Sequence, residues 1–149
     1  MVDITNRKII SAKIEKGEPL KLLFKYVNEQ VLMVLNSVLA RLLSKNDQIY
    51  LLNSIITILR ELIINALKAN AKRAFFLKNN LDINDAPQYQ KGMDKFKKEV
   101  VGDFDSIEED LKRSDLYVQI SFEHDSNTIR ITVANNSPIL TVELDRINY

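Results

Sequence analysis

The chain has 149 residues, with 21 Lys and Arg against 20 Asp and Glu, no cysteine and one histidine. That length allows one domain with a real core, and a net charge of +1 supplies no bulk field for nucleic acid or an anionic membrane. Without cysteine there is no disulfide framework, thiol nucleophile or Cys-based zinc site, and three glycines in the whole chain leave no glycine-rich phosphate loop.

The N-terminal MVDITNRKII lacks the long apolar core of a signal peptide. The apolar stretches around 31–43 and 55–67 are interrupted by Asn, Ser, Arg and Glu, which argues against membrane spans. A soluble cytoplasmic protein is the expectation. Residues 8–25 (KIISAKIEKGEPLKLLFK) read as two short strands around the turn Lys16-Gly17-Glu18-Pro19. From Tyr26 to Leu43 apolar residues recur at helical spacing. Ser44-Lys45-Asn46-Asp47 breaks that pattern and offers capping side chains to a second helix running to about residue 73. Ala74-Phe75-Phe76-Leu77 reads as the end of that helix or a following strand.

Residues 78–114 are charge-rich, opened by turn chemistry from Asn79 to Pro87. Gly102 divides them into two short helices, the second opened by a Ser106…Glu109 capping box. They read as a solvated helical insertion. Leu116, Val118, Ile120 and Phe122 then alternate with polar residues, His124-Asp125-Ser126-Asn127 turns the chain, and Ile129, Ile131 and Val133 alternate back. This predicts a β-hairpin with one buried face, followed by a helix over Thr141–Ile147. The fold class expected is α+β, with long helices packed on a small, mostly antiparallel sheet.

Within the second helix, Ser54, Thr57, Glu61, Asn65, Lys68 and Lys72 follow at steps of 3, 4, 4, 3 and 4, so they line one edge of an otherwise apolar rod, read as a core helix that turns Glu61 and Asn65 toward a cavity. A carboxylate and a carboxamide at i and i+4 sit roughly 6 Å apart. The carboxamide oxygen of Asn65 suits Mg²⁺, which keeps several waters and leans on phosphate oxygens. Glu61 can take a proton from nearby water, and Lys68 and Lys72 can meet phosphate charge. The competing reading is that Glu61 and Asn65 only satisfy neighbouring backbone groups. Lys68, Lys72, Arg73 and Lys78 lack aromatic interleaving and read as a solvated helix end rather than a nucleic-acid patch. His124 reads as an exposed turn residue.

ELIINALKANA (Glu61 to Ala71) resembles the N-box of the Bergerat-fold ATP-binding superfamily (GHKL), which includes gyrase B, heat-shock chaperones, MutL mismatch-repair proteins and histidine kinases. Its pattern is Glu, three residues, Asn, Ala. ITVANNSPIL (Ile131 to Leu140) is similar to that family's next motif, a strand followed by Asp-Asn-Gly-x-Gly and a helix. The resemblance implies a partial histidine-kinase-like ATPase fold over 1–149, with 78–114 inserted, in which Asn65 ligates Mg²⁺ on the nucleotide phosphates. It also implies Glu61 as the catalytic base and Lys68, Asn135 and Asn136 as ATP-binding residues. Lys68 stands where hydrolytic members often have Asp. Asn135 replaces the adenine-binding Asp with a neutral acceptor, which lowers adenine affinity about tenfold. Ser137 and Ile139 replace two glycines. The family's lid, glycine-rich phosphate motif and remaining strands have no counterpart here, so the expectation is half of that fold, a fragment of a longer chain. Its open sheet edge would be covered most simply by a second copy. The implied activity is an ATP-dependent protein kinase or ATPase in signalling, with this chain alone inactive. The alternative is a degenerate, dimerising, partner-binding regulatory module.

Overall fold

The computed structural model describes residues 1–147, the Arg146 side chain excepted. The chain is α+β. It forms two compact units: Met1–Leu67 with Tyr117–Asn135, and Lys68–Leu116 with the residues from Asn136 on.

The first unit contains the whole sheet. Strand β1 (Val2–Asp3) leads into helix α1 (Arg7–Glu15), strand β2 (Leu20–Phe24) and helix α2 (Glu29–Lys45). Strands β3 (Val118–His124) and β4 (Ile129–Asn135) complete an order β1-β2-β3-β4. The short β1 pairs parallel to β2, whereas β2–β3 and β3–β4 are antiparallel, so the sheet is mostly antiparallel as expected. Leu22 pairs with Ile120 and Ile120 with Val133. This register places one apolar row across three strands. The hairpin turn is fixed by Asp125, whose Oδ1 accepts the Asn127 and Thr128 N–H groups at 2.8 Å each. These two bonds hold its carboxyl below the usual value.

The strand expected at the start of residues 8–25 is instead helix α1. Both patterns fit KIISAKIE, but Asn6 caps the helix by accepting the Ile9 N–H at 3.3 Å. Ile10 and Ile14, spaced by four, are the residues buried, while Ile9 stays exposed. Gly17, at φ +70°, turns the chain into β2. Helix α2 matches expectation, capped by Asn28 through the Val31 N–H at 3.0 Å, with Leu35 and Leu39 fully buried.

Helix α3 (Leu52–Lys78) runs through 27 residues. Its expected capping by residues 44–47 is corrected. Asp47 takes a left-handed backbone at φ 54°, and a 3₁₀ turn, Ile49–Leu51, without a side-chain cap precedes the helix. Within the first unit α3 buries Leu59, Ile63 and Leu67, a stripe at steps of four. It leaves Ile58, Leu62 and Ile64 at 61%, 48% and 41% exposed. By length and composition the segment Ile49–Lys78 could cross a membrane. Leu59, Ile63 and Leu67 are buried in it, Arg60 and Glu61 place charges midway, and most of the apolar stretch is not buried.

The second unit consists of the end of α3, then α4 (Ala86–Phe96), a π-helical turn, a 3₁₀ turn, α5 (Glu108–Arg113) and α6 (Thr141–Ile147). The Ala74–Leu77 run is helix, not strand. Residues 78–114 are helical but are not merely solvated: Tyr89, Phe96, Val100, Ile107 and Leu111 are buried. Phe75 meets Phe96 edge-on at 5.5 Å, and Phe76 meets Tyr89 at 5.9 Å. The expected capping box is absent: the Ser106 hydroxyl donates to the Asp103 carbonyl, and α5 follows a 3₁₀ turn without a side-chain cap.

Candidate functional site

The five residues singled out as a site divide between the units. Glu61, Asn65 and Asn135 belong to the first, Lys68 and Asn136 to the second. Glu61, Asn65 and Lys68 lie on the exposed side of α3 together with Ser54 and Thr57. From Ser54 to Lys68 the polar edge is therefore open to solvent instead of facing the expected cavity, and the bare apolar residues Ile58 and Leu62 flank it.

In the first unit the end of β4 is tied to α3. Asn135 Nδ2 donates to the Ala66 carbonyl at 3.1 Å, one residue past Asn65. Asn135 pairs with Val118 across the sheet, so its position follows from the hairpin register. With Nδ2 engaged on the helix, the Asn135 carbonyl oxygen is the atom left to accept from a ligand.

In the second unit Asn136 Nδ2 donates to the Asp115 carbonyl at 2.8 Å. The Ser137 hydroxyl donates to Asn70 Oδ1 at 2.6 Å. Asn70 is fully buried, and the sequence reading passed over it. The available signal was a carboxamide five residues beyond Asn65, off the polar edge and among apolar neighbours, where a polar group needs an internal partner.

The basic group expected as a solvated helix end is mostly engaged. Lys72 pairs with Glu143 and lies over the Tyr89 ring at 5.9 Å. Arg73 is 8% exposed, donates to the Ala69 carbonyl at 2.8 Å and to the Pro138 carbonyl, and pairs with Glu143 at 3.3 Å. Lys78 pairs with Asp110 at 2.9 Å. Burial pulls the Glu143 carboxyl upward, but the Lys72 ammonium, the Leu140 N–H and the Arg73 charge outweigh it, leaving it below the usual value. His124 is half-buried rather than exposed.

Among the described residues no group of three His, Cys, Asp or Glu could hold a metal ion. The donor at the expected Mg²⁺ position is a single exposed carboxamide, Asn65. One protein oxygen fits an ion that keeps water and takes phosphate oxygens for the rest of its shell.

No family model matches the chain, and no solved structure matches it. It is similar to an uncharacterized protein of Treponema pallidum (strain Nichols), at 34% identity over 87 residues. Those residues are 58% of this chain and 17% of that relative, so the match spans less than a fifth of the longer protein.

Proposed function

We propose that this chain is a cytoplasmic nucleotide-binding module of the histidine-kinase-like ATPase type, acting in signalling. The observation that carries the reading is the hydrogen bond from Asn135 to the Ala66 carbonyl. It joins the strand-end motif to the helical turn that bears Asn65, two stretches far apart in sequence and expected to cooperate in one site. In this reading Asn65 holds Mg²⁺ on the phosphates, the Asn135 carbonyl accepts from the adenine amino group, and Glu61 orients or deprotonates water.

Calorimetry with ADP and ATP, with and without Mg²⁺, tests this. Asn65→Ala should weaken Mg²⁺-dependent binding by about ten- to a hundredfold and leave the metal-free affinity nearly unchanged. Equal heats in the two proteins with Mg²⁺ present would remove Asn65 as the metal ligand.

A second reading, a self-associating regulatory module without nucleotide turnover, is favoured by a separate observation. Ile58, Leu62 and Ile64 stand exposed on α3, and β4 is an edge strand with half-buried Ile129, Ile131 and Val133. An apolar helix side and an open edge in one unit are features that a partner covers. Light scattering should then find a dimer that Leu62→Glu converts to a monomer. A wild-type protein that stays monomeric at hundreds of micromolar would reject this reading.

A further inference from the structure

We infer that the groove between α1 and α2 is a binding site for a small organic anion, a carboxylate or phosphate carried on an apolar body. The two helices run in the same direction. Arg41 Nη1 donates to the Ser11 hydroxyl at 3.0 Å, and Lys45 donates to the Ile14 carbonyl, so later residues of one meet later residues of the other. Between them lies a cavity of about 250 Å³ lined by Arg7 and Ser11 from α1 and by Ser37 and Arg41 from α2. A second cavity of about 290 Å³ shares Arg7 and Val34 with it and continues toward Thr5 and Asn28. Each lies just under the roughly 300 Å³ at which ordinary ligand clefts begin, a size for a small ligand.

The charge balance of this groove is one-sided. Two guanidinium groups line it, and no carboxylate does. Among the described residues neither Arg7 nor Arg41 forms an ion pair. Arg41 is half-buried and uses one of its five N–H donors on Ser11. The remaining planar fork matches the two oxygens of a carboxylate or phosphate, and the two hydroxyls add donors beside it. Met33 and Val34 supply an apolar wall on which a bare inorganic ion would gain nothing. The site is distinct from the Asn65 edge of α3 and does not depend on the nucleotide reading.

The test is titration of the full chain with hexyl phosphate, hexanoate and inorganic phosphate, followed by calorimetry at low and high salt. Arg7 is exposed and carries the test, because Arg7→Gln leaves the Arg41–Ser11 contact intact. Hexyl phosphate or hexanoate should bind saturably, at least about tenfold more weakly in Arg7→Gln and more weakly in high salt. Vesicles containing phosphatidic acid form the second arm. Arg7-dependent capture of the vesicles would identify a lipid headgroup as the source of the anion, and its absence, with hexyl phosphate still bound, a soluble ligand. Failure of both organic anions to bind saturably, or equal binding by Arg7→Gln, would overturn the site. Inorganic phosphate binding as tightly as hexyl phosphate would overturn its apolar half.

Discussion

Replacing Gly92 by alanine will destabilise the second unit by about 2–3 kcal/mol, although the same change on an open helix stabilises by about 1 kcal/mol. The sign is decided by Phe76. A Cβ built on Gly92 would come within 2.3 Å of one ring carbon of Phe76, 2.4 Å of a second and 2.8 Å of a third. The two shortest lie about an ångström inside ordinary contact. The ring has nowhere to go, because Phe76 is fully buried and meets Tyr89 edge-on. Its packing group also includes Leu140, Leu81, Ile83 and Met93. Close-packed interiors transmit such an intrusion instead of absorbing it. Chemical denaturation followed by hydrogen exchange in α4 reads the loss. Combining Gly92→Ala with Phe76→Leu should cost less than the sum of the two changes, because the smaller side chain vacates the space. A Gly92→Ala protein more stable than wild type would mean that helix propensity alone governs the position.

That contact marks where the sequence stops being legible. The hairpin was readable because alternation at Val118, Ile120 and Phe122 has few alternatives and Asp125 closes the turn with its own side chain. Helix α1 was not readable by alternation, since Ile10 and Ile14 satisfy both a strand and a helix. The decision lay with Asn6 and with β2 finding β3 as its neighbour. In 78–114 the charges hid a readable signal. Tyr89, Phe96, Val100, Ile107 and Leu111 follow at steps of 7, 4, 7 and 4, a helical seam that a solvated segment would not keep. Of the candidate site, the edge bearing Glu61 and Asn65 was legible from spacing. The tie from Asn135 to Ala66 was not, because a side chain bonding to a helix carbonyl leaves no trace in residue type. The Lys72–Glu143–Arg73 group was equally hidden, since it joins residues seventy positions apart.

Glu143 gives the second large effect, and its sign depends on pH. The carboxylate is held below its ordinary value of 4.5 despite partial burial. The group therefore contributes stability at pH values above its unfolded value, and that contribution is lost as pH falls through the lower folded value. The wild-type second unit should weaken as pH drops below about 4.5, whereas a Glu143→Gln protein should already be weaker at pH 7 and lack this part of the acid limb. At pH 7 the substitution should cost about 2–3 kcal/mol. The carboxylate accepts from Lys72, from Arg73 at 3.3 Å and from the Leu140 N–H at 3.1 Å, and the nearly buried Arg73 loses its counter-charge. Gln keeps the acceptor oxygen but not the charge, so the difference between the two proteins isolates the electrostatic part. Asp125 in the hairpin turn is also held below its usual value and contributes to the acid limb of the first unit. The comparison must therefore be read locally, by hydrogen exchange at the end of α3 and in α4, between pH 7 and pH 3. Parallel acid limbs for the two proteins at those amides would show that Glu143 holds nothing together. A limb that flattens only in Glu143→Gln would show that this carboxylate clamps α6 to the cationic end of α3.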